Sequence, residues 1–381
     1  MNAKIFAVIA VVIIVAGAGV AITYNGGSDS DGNITIVDGS NSKIVLDEPL
    51  TNVAALNSNI PKAMKMLGIS DFISCYHYSK TIGIKAESNP DAKLGTYYTP
   101  SVEKLLEFGV QAVICPVASM TLYASVEKSC ENNGIKVIRL DCNGESLFDD
   151  LQKLSKIFGE PQSAKDKLKT YSDDYDAVVN AVKAAVADKT KVDYLATVEM
   201  NASGSGGALY TKNSALSKLY EDVLGENVVS YTDLDQSSVT TTVNEGAKEA
   251  LAQISDKIQT TVIRCSMTSD ASASDSLFIK YVGDDGVIGT ACPAYADNRI
   301  FVVNSDLMSG IYGHIGLLVV AKLVYGIDVE GYEDVNKVIS DFQEKYEQDQ
   351  IDDGAIISVS YGADYGVGNG IVSKYTEPAE A

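Results

Sequence analysis

A chain of 381 residues with 46% hydrophobic content is long enough for two domains of ordinary size, each with its own core. Its formal charge of −21 repels a phosphate backbone over most of the surface, and no basic, aromatic-interleaved patch offsets that repulsion, so nucleic acid is not an expected partner. Six cysteines (Cys75, Cys115, Cys130, Cys142, Cys265, Cys292) show no CxxC and no histidine-paired spacing, which argues against structural zinc and for buried thiols with room for one bridge.

Residues 1–24 read as a membrane anchor or signal segment. The apolar run from Ile5 to Thr23 follows Lys4 and is long enough to span a bilayer as a helix. An uncleaved anchor with the rest of the chain on the extracytoplasmic face is the expectation, and the single charge of Lys4 agrees with it by the positive-inside rule. A cleaved signal is the alternative, since Ala16, Ala18 and Ala21 could supply a cleavage site; no cysteine follows for lipid attachment. Residues 25–33, rich in Gly, Ser and Asp, form a flexible linker.

An N-terminal α/β lobe is expected over 34–145. Ile34 to Val37 and Lys43 to Leu46 alternate around Asp38-Gly39 as a hairpin. A strand at Asn52 to Leu56 precedes a helix from about Pro61 to Leu67, ended by Gly68, and Ile73 to Tyr76 is the next strand. A helix follows with Thr99 as its cap, Pro100 at its first position and Glu103 in its first turn, where the macrodipole favours an anion. Val102, Leu105 and Leu106 form its buried stripe. Ala112 to Cys115 is a strand, Val126 to Asn133 a helix stopped by Gly134, and Lys136 to Leu140 a strand. This alternation implies a largely parallel sheet with crossovers.

Connecting helices occupy 146–190. The longer one, Ala164 to Ala187, contains neither glycine nor proline and, at on the order of 30 Å or more, can join two halves of a molecule. A C-terminal lobe is expected over 191–350, with strands at Val192 to Val198, Thr260 to Arg264 and Arg299 to Val303. Its helices lie at Leu216 to Leu224, Ser309 to Tyr325 and Tyr332 to Tyr346; the second of these is apolar but too short and interrupted to favour a membrane span. The tail, 351–381, is rich in Gly and Tyr and receives no element. The expected fold is α/β, two Rossmann-like lobes with mostly parallel sheets joined by a long spanning α-helix.

One internal echo links the lobes. Gly95 to Pro116 and Ser238 to Ser266 both read as polar loop, acidic amphipathic helix and short apolar strand. In the second copy Val243, Ala247, Ala250, Leu251 and Ile254 share a face and leave Glu245 and Glu249 on the other, without a clear cap.

The order of elements and several local motifs resemble the helical-backbone class of ABC-transporter solute-binding proteins, those for iron chelates, haem and cobalamin. Val53 to Gly68 (VAALNSNIPKAMKMLG) is similar to that family's first strand, loop and helix, and TPSVEKLLEFGVQAVI to its serine-x-glutamate helix and following strand, with Val110-Gln111 in place of the usual Pro-Asp. NGIKVIRL and NRIFVV are similar to later strands, so the resemblance runs from about Ile34 to Tyr346. It implies a monomeric extracytoplasmic substrate-binding protein, with no cofactor or catalytic residue of its own, that delivers a metal chelate of the iron-siderophore or corrinoid type to a permease and its ATPase. Haem or an oxyanion such as molybdate is the alternative ligand. The resemblance also implies that one surface glutamate per lobe docks into the permease: Glu103 in the first, and either Glu245 or Glu249 in the second.

In open α/β sheets ligands bind beyond the carboxyl ends of the strands, so in a two-lobed protein the loops after those ends line the cleft. That rule selects Asn57, Tyr76, His77, Tyr78, Tyr97, Tyr98, Ser119, Glu199, Arg264 and Tyr312 as candidate ligand contacts. Tyrosine, 21 in the chain against no tryptophan, offers flat faces for a macrocycle or chelate and hydroxyls for its polar edges. Arg264, one of three arginines, could hold a carboxylate or catecholate, or pair with a local Asp. His77 and His314 come from cleft-side regions of opposite lobes, but a histidine in an apolar helix like that of His314 is more ordinarily a packed core residue, and no metal ligand is assigned. The segment Asn201 to Gly207 (NASGSGG) lacks the Lys-Ser/Thr of a P-loop and the strand-to-helix elbow of a hydrolase, which disfavours a secreted hydrolase. A cell-surface adhesion protein would fit the anchor and the acidity but not the two-lobed pattern.

Overall fold

The computed structural model describes residues 33–78, 81–117, 121–198, 207–266, 280–282, 286–349, 351, 356–365 and 371–374; the expected anchor lies outside them. The chain divides into two compact units, Met1–Cys142 with Ser146–Asp176, and Asn143–Glu145 with Ala177–Ala381.

In the first unit, β1 (Ile34–Val37) and β2 (Lys43–Leu46) form the antiparallel hairpin. Its turn is organised by Asp38, which is 2% exposed yet fully partnered. One carboxylate oxygen accepts from the backbone N–H groups of Ser40 and Ser42 (2.9 and 3.0 Å) and the Ser40 hydroxyl (2.7 Å), and the other accepts from Arg139 N–H at 3.0 Å. A carboxylate out of water is tolerable only with such partners, and the last of them ties the hairpin to the sheet.

The sheet is built from β3 (Val53–Leu56), α1 (Asn59–Met66), β4 (Ile73–His77), α2 (Val102–Glu107), β5 (Ala112–Cys115), α3 (Ala124–Asn132) and β6 (Lys136–Arg139). Among the described residues all four strands of this sheet are parallel, in the order β4-β3-β5-β6. Every residue of β3 and β5 is buried, as expected of strands covered on both faces. All three helix starts differ by two residues from the sequence reading, α3 beginning at Ala124. Asn57, at φ 67°, accepts from the N–H groups of Asn59 and Ile60 (2.8 and 3.2 Å), so α1 begins before Pro61 and the proline sits inside the first turn, where its missing N–H costs nothing. At α2 the cap is Ser101, whose hydroxyl accepts from Lys104 N–H at 3.2 Å, while the Thr99 hydroxyl lies 2.8 Å from that of Thr96.

Next come α4 (Leu147–Ile157) and α5 (Gln162–Ala185), the latter about 36 Å long at 1.5 Å per residue. The division between the units falls inside α5, so one unbroken helix starts in the first unit and ends in the second. The helix α4 belongs to the first unit, where Phe148 packs on Tyr171 and Tyr175 of α5 with ring centroids 5.7 and 5.1 Å apart. Asp150 of α4 turns its buried carboxylate onto the chain leaving β6, accepting from Asp141 N–H and Cys142 N–H (both 2.9 Å) and the Ser146 hydroxyl (2.8 Å). Burial pushes its pKa above the usual carboxylate range, against the pull of those hydrogen bonds.

The second unit contains β7 (Tyr194–Val198), β8 (Ala208–Tyr210), α6 (Ala215–Tyr220), β9 (Thr240–Thr242), α7 (Glu245–Ala252), β10 (Thr260–Cys265), α8 (Pro293–Ala296), β11 (Ile300–Asn304), α9 (Gly313–Tyr325), α10 (Val335–Lys345), β12 (Ile356–Tyr361) and β13 (Ile371–Lys374). Among the described residues its seven strands run in the order β13-β12-β11-β10-β7-β8-β9. The central β11, β10 and β7 are parallel, and both flanks are antiparallel. The tail left without an element therefore supplies β12, all six residues of which are buried. Asn244 caps α7 by accepting from Ala247 N–H at 2.9 Å, a cap the sequence pattern does not show. Gly316 lets α9 lie on the turn after β11: a Cβ there would stand 2.1 Å from the Leu307 carbonyl oxygen. Among the described residues no helix is long and apolar enough to cross a membrane.

All six cysteines are buried and none is in a disulfide. Burial raises the thiols of Cys75 and Cys130 to about 11 and pushes those of Cys115, Cys142 and Cys292 up as well, which removes the reactive thiolate.

Replacing Asp150 with Ala strands three donors beside the chain leaving β6, and urea unfolding of the first unit is expected to show a loss of about 3 kcal/mol. Asp150→Asn keeps an acceptor oxygen and removes a buried charge, so it should lose less than half as much; an equal loss in both variants would contradict this account.

Candidate functional site

In the first unit β3 has β4 on one edge and β5 on the other, so the crossovers depart in opposite directions and leave a crevice at the carboxyl edge. The chain after β4 returns to this edge. Lys93 bridges Tyr76 in parallel, and Leu94 N–H donates to the Tyr76 carbonyl at 3.0 Å, with the Leu94 side chain buried in the core. That anchor sets Tyr97 and Tyr98 beside the end of β4.

A row of four rings results. His77 meets Tyr97 edge-on at 4.8 Å between centroids, Tyr97 tilts onto Tyr98 at 4.2 Å, and Tyr98 stacks on Tyr123 at 5.3 Å with 15° between planes. Tyr97 also packs against the core that contains Cys75, Leu105 and Cys115. Its hydroxyl donates to that of Tyr98 at 3.3 Å, and this bond, reinforced by burial, lifts its pKa to about 12. The His77 imidazole is pushed below its ordinary value by burial and then by the Lys93 ammonium, and its Nδ1 is buried with no hydrogen-bond partner among the described residues. At neutral pH the row is thus uncharged: three aromatic faces with phenol donors and a neutral imidazole. Such a surface suits stacking and hydrogen bonding.

The other sequence candidates of this unit are less close to the row. Tyr76 is buried and points to the opposite side of β4 from Cys75 and His77; burial, then Glu87, raises its hydroxyl pKa. Tyr78 is half-buried immediately beyond β4. The Asn57 amide oxygen is taken up in capping α1. Ser119 lies outside the described residues. Tyr123 is not among the sequence candidates, which take only Ser119 from the loop after β5; it ends that same loop, just before α3, as Tyr97 and Tyr98 precede α2, and this position is the signal that finds it.

In the second unit Arg264 is half-buried near the end of β10, and its guanidinium donates to the Tyr210 hydroxyl at 3.1 Å and to the Ser309 hydroxyl at 3.4 Å. The same carboxyl edge carries Ser266 and Ser305, whose hydroxyls lie 3.4 Å apart, and Asp306, whose N–H donates to Asn304 Oδ1 at 2.9 Å. Tyr312 is 3% exposed and rests on Phe342 at 4.7 Å, so it is placed in the α9–α10 core and not on the edge. His314 is buried in α9, 5.5 Å from the same ring. Glu199 lies outside the described residues, and among those described no cluster of His, Cys, Asp and Glu could hold a metal ion.

The three glutamates are all exposed. Glu103 is the second residue of α2, which leads to β5, the parallel neighbour of β3. Glu245 is the first residue of α7, which leads to β10, the parallel neighbour of β7; its side chain is 86% exposed and pairs with Lys248 at 3.2 Å. Glu249 follows one turn later on the same helix.

Two α/β units with α5 running from one into the other give a fold that is similar to those of solved periplasmic binding proteins. The chain is similar to a TroA-like periplasmic binding protein from Veillonella parvula at 15% identity and a TM-score of 0.58, over 86% of this chain and 100% of that one. It is similar to an ABC-type Fe3+-hydroxamate transport protein from Saccharomonospora viridis at 18% identity and a TM-score of 0.56, over 77% and 99% of the two chains. A periplasmic heme-binding protein from Pseudomonas aeruginosa gives 19% identity and a TM-score of 0.55, over 72% and 93%. At these identities the likeness is one of fold. No protein-family model matches the chain, and no curated protein matches it.

His77 supplies a pH test. Because folding favours its neutral form, the unfolded chain binds the extra proton first as pH falls through the ordinary histidine value of 6.5. Stability from this group is therefore present above that pH and is lost below it. An NMR titration should place the His77 midpoint below 6.5, and His77→Gln should flatten the acid side of the stability profile; a midpoint at or above 6.5 would contradict the buried, neutral ring.

Proposed function

We propose that this chain is an extracytoplasmic substrate-binding protein of an ABC importer that captures a metal chelate, of the iron-siderophore or corrinoid type, and delivers it to a permease and its ATPase. The observation that carries the reading is the uncharged row His77, Tyr97, Tyr98, Tyr123 on the carboxyl edge of a binding-protein fold. Rings and phenols recognise a bulky ligand with apolar faces, and no covalent step is needed. The solved structures of similar fold include an Fe3+-hydroxamate transport protein and a heme-binding protein, which supports the chelate class and keeps haem as the second ligand. Arg264 is proposed as the contact for an acidic group on the ligand.

Residues 5–23 are proposed to anchor the chain in the membrane, with both units on the extracytoplasmic face. Glu103 in the first unit and a glutamate of α7 in the second are proposed as the permease contacts. The capped first turn favours Glu245 for the second, since it stands at the start of α7 as Glu103 does at the start of α2, each leading to the equivalent strand.

Thermal-shift screening against ferric siderophores, haemin, cobalamin and molybdate tests the ligand class. A true ligand at one hundred times its dissociation constant adds about 2.7 kcal/mol, a shift of several degrees. No shift with any chelate, alongside turnover of a hydrolase substrate, would replace the reading with an enzyme.

The docking glutamates make a separate prediction. Glu103→Ala combined with Glu245→Ala should abolish uptake by whole cells while leaving ligand affinity within twofold, and Glu249→Ala should have little effect. Lost affinity in the double variant would refute a docking role.

A further inference from the structure

We propose that Tyr123 is a ligand-contact residue, and that the row it completes recognises a conjugated or aromatic face of the ligand and not a charged group on it. The inference rests on the metal-chelate reading above and narrows it. Tyr123 is 56% exposed, more than any other large apolar side chain described. Its backbone is nevertheless fixed three times over. Its N–H donates to the Tyr98 carbonyl at 3.1 Å, and its own carbonyl accepts from Val126 and Glu127 N–H at 2.9 and 3.0 Å as the first acceptor of α3. One face of the ring lies on Tyr98, nearly parallel to it.

An aromatic ring held this firmly while still largely in water is already in place to stack, so little side-chain entropy remains to be lost when a flat surface covers it. The remainder of the row has the same chemistry. Tyr97 and Tyr98 spend a hydroxyl on each other, His77 is neutral, and the rings approach to between 4.2 and 5.3 Å, so the strip offers faces and edges and no formal charge. The imidazole of His77 is kept neutral by burial and then by the Lys93 ammonium. A ligand bound chiefly through anionic oxygens would find no counter-charge in the row, whereas a conjugated ring system would gain stacking energy at each phenol.

The test uses the full chain in detergent, with haemin, cyanocobalamin and ferrioxamine B as probes: two conjugated macrocycles and one non-planar hydroxamate. With 21 tyrosines and no tryptophan, intrinsic emission comes from tyrosine alone, and its quenching reports binding; the Tyr123 variants then locate the contact. At least one macrocycle is expected to bind, with Tyr123→Ala weakening it roughly three- to tenfold and Tyr123→Phe leaving it unchanged, because the contact is made by the ring. Unchanged affinity in Tyr123→Ala, or equal weakening in Tyr123→Phe, overturns the inference. Binding of ferrioxamine B alone overturns the conjugated-face assignment but leaves the chelate reading standing. Failure of all three probes on the unmodified chain overturns that reading, and this inference with it.

Discussion

The reversal of strand order at β3 is the constraint on which the proposed site depends. A parallel sheet sends every crossover back over one of its faces, and where two crossovers leave in opposite directions a crevice must open at the carboxyl edge. Here that point lies between β3 and β5, both wholly buried, so the edge is supported by the least deformable part of the first unit. The short side chains of Ala54, Ala55 and Ala112 at this place are what such close covering of both faces requires.

Rigid support then passes outward through specific contacts. The bridge from Lys93 to Tyr76 and the burial of Leu94 fix the return of the chain, Tyr97 leans on the core, and each next ring leans on the one before. The row is therefore half-buried at His77, Tyr97 and Tyr98 and exposed at Tyr123. Burial lowers the imidazole pKa, and the hydrogen bond to Tyr98, followed by burial, raises that of Tyr97, so the row stays uncharged. Function by stacking and function by ionisation are alternatives here, and the packing selects the first.

The second unit reaches a comparable edge by a different route. Its parallel centre, β7, β10 and β11, repeats the relation of β3, β5 and β6, but antiparallel strands close both flanks. Its edge is populated by hydroxyls and one guanidinium where the first has rings. With a formal charge of −21, glutamates proposed to contact a basic permease surface would act within a field of the same sign, so their attraction is collective and falls with salt.

Local sequence was sufficient wherever period and punctuation act within a few residues. The alternation of strands and helices, the long α5 without glycine or proline, the short parallel strands at 53, 112, 136 and 300, and the position of His77, Tyr97 and Tyr98 near strand ends were all legible, because apolar spacing and caps are properties of neighbouring residues. Helix starts were legible only to within four residues, the largest difference being α9 at Gly313 where Ser309 was expected, since Asn57, Ser101 and Asn244 compete with nearby residues to cap and the backbone decides among them. What the tertiary structure alone decided was everything that depends on residues distant in sequence. It placed the tail strand β12 against β11, took Tyr312 into a core with Phe342, and carried Tyr123 across to Tyr98. Short-range pattern records whether a side chain wants water or not; which partner it meets is set by how the sheet closes, and that no local pattern encodes.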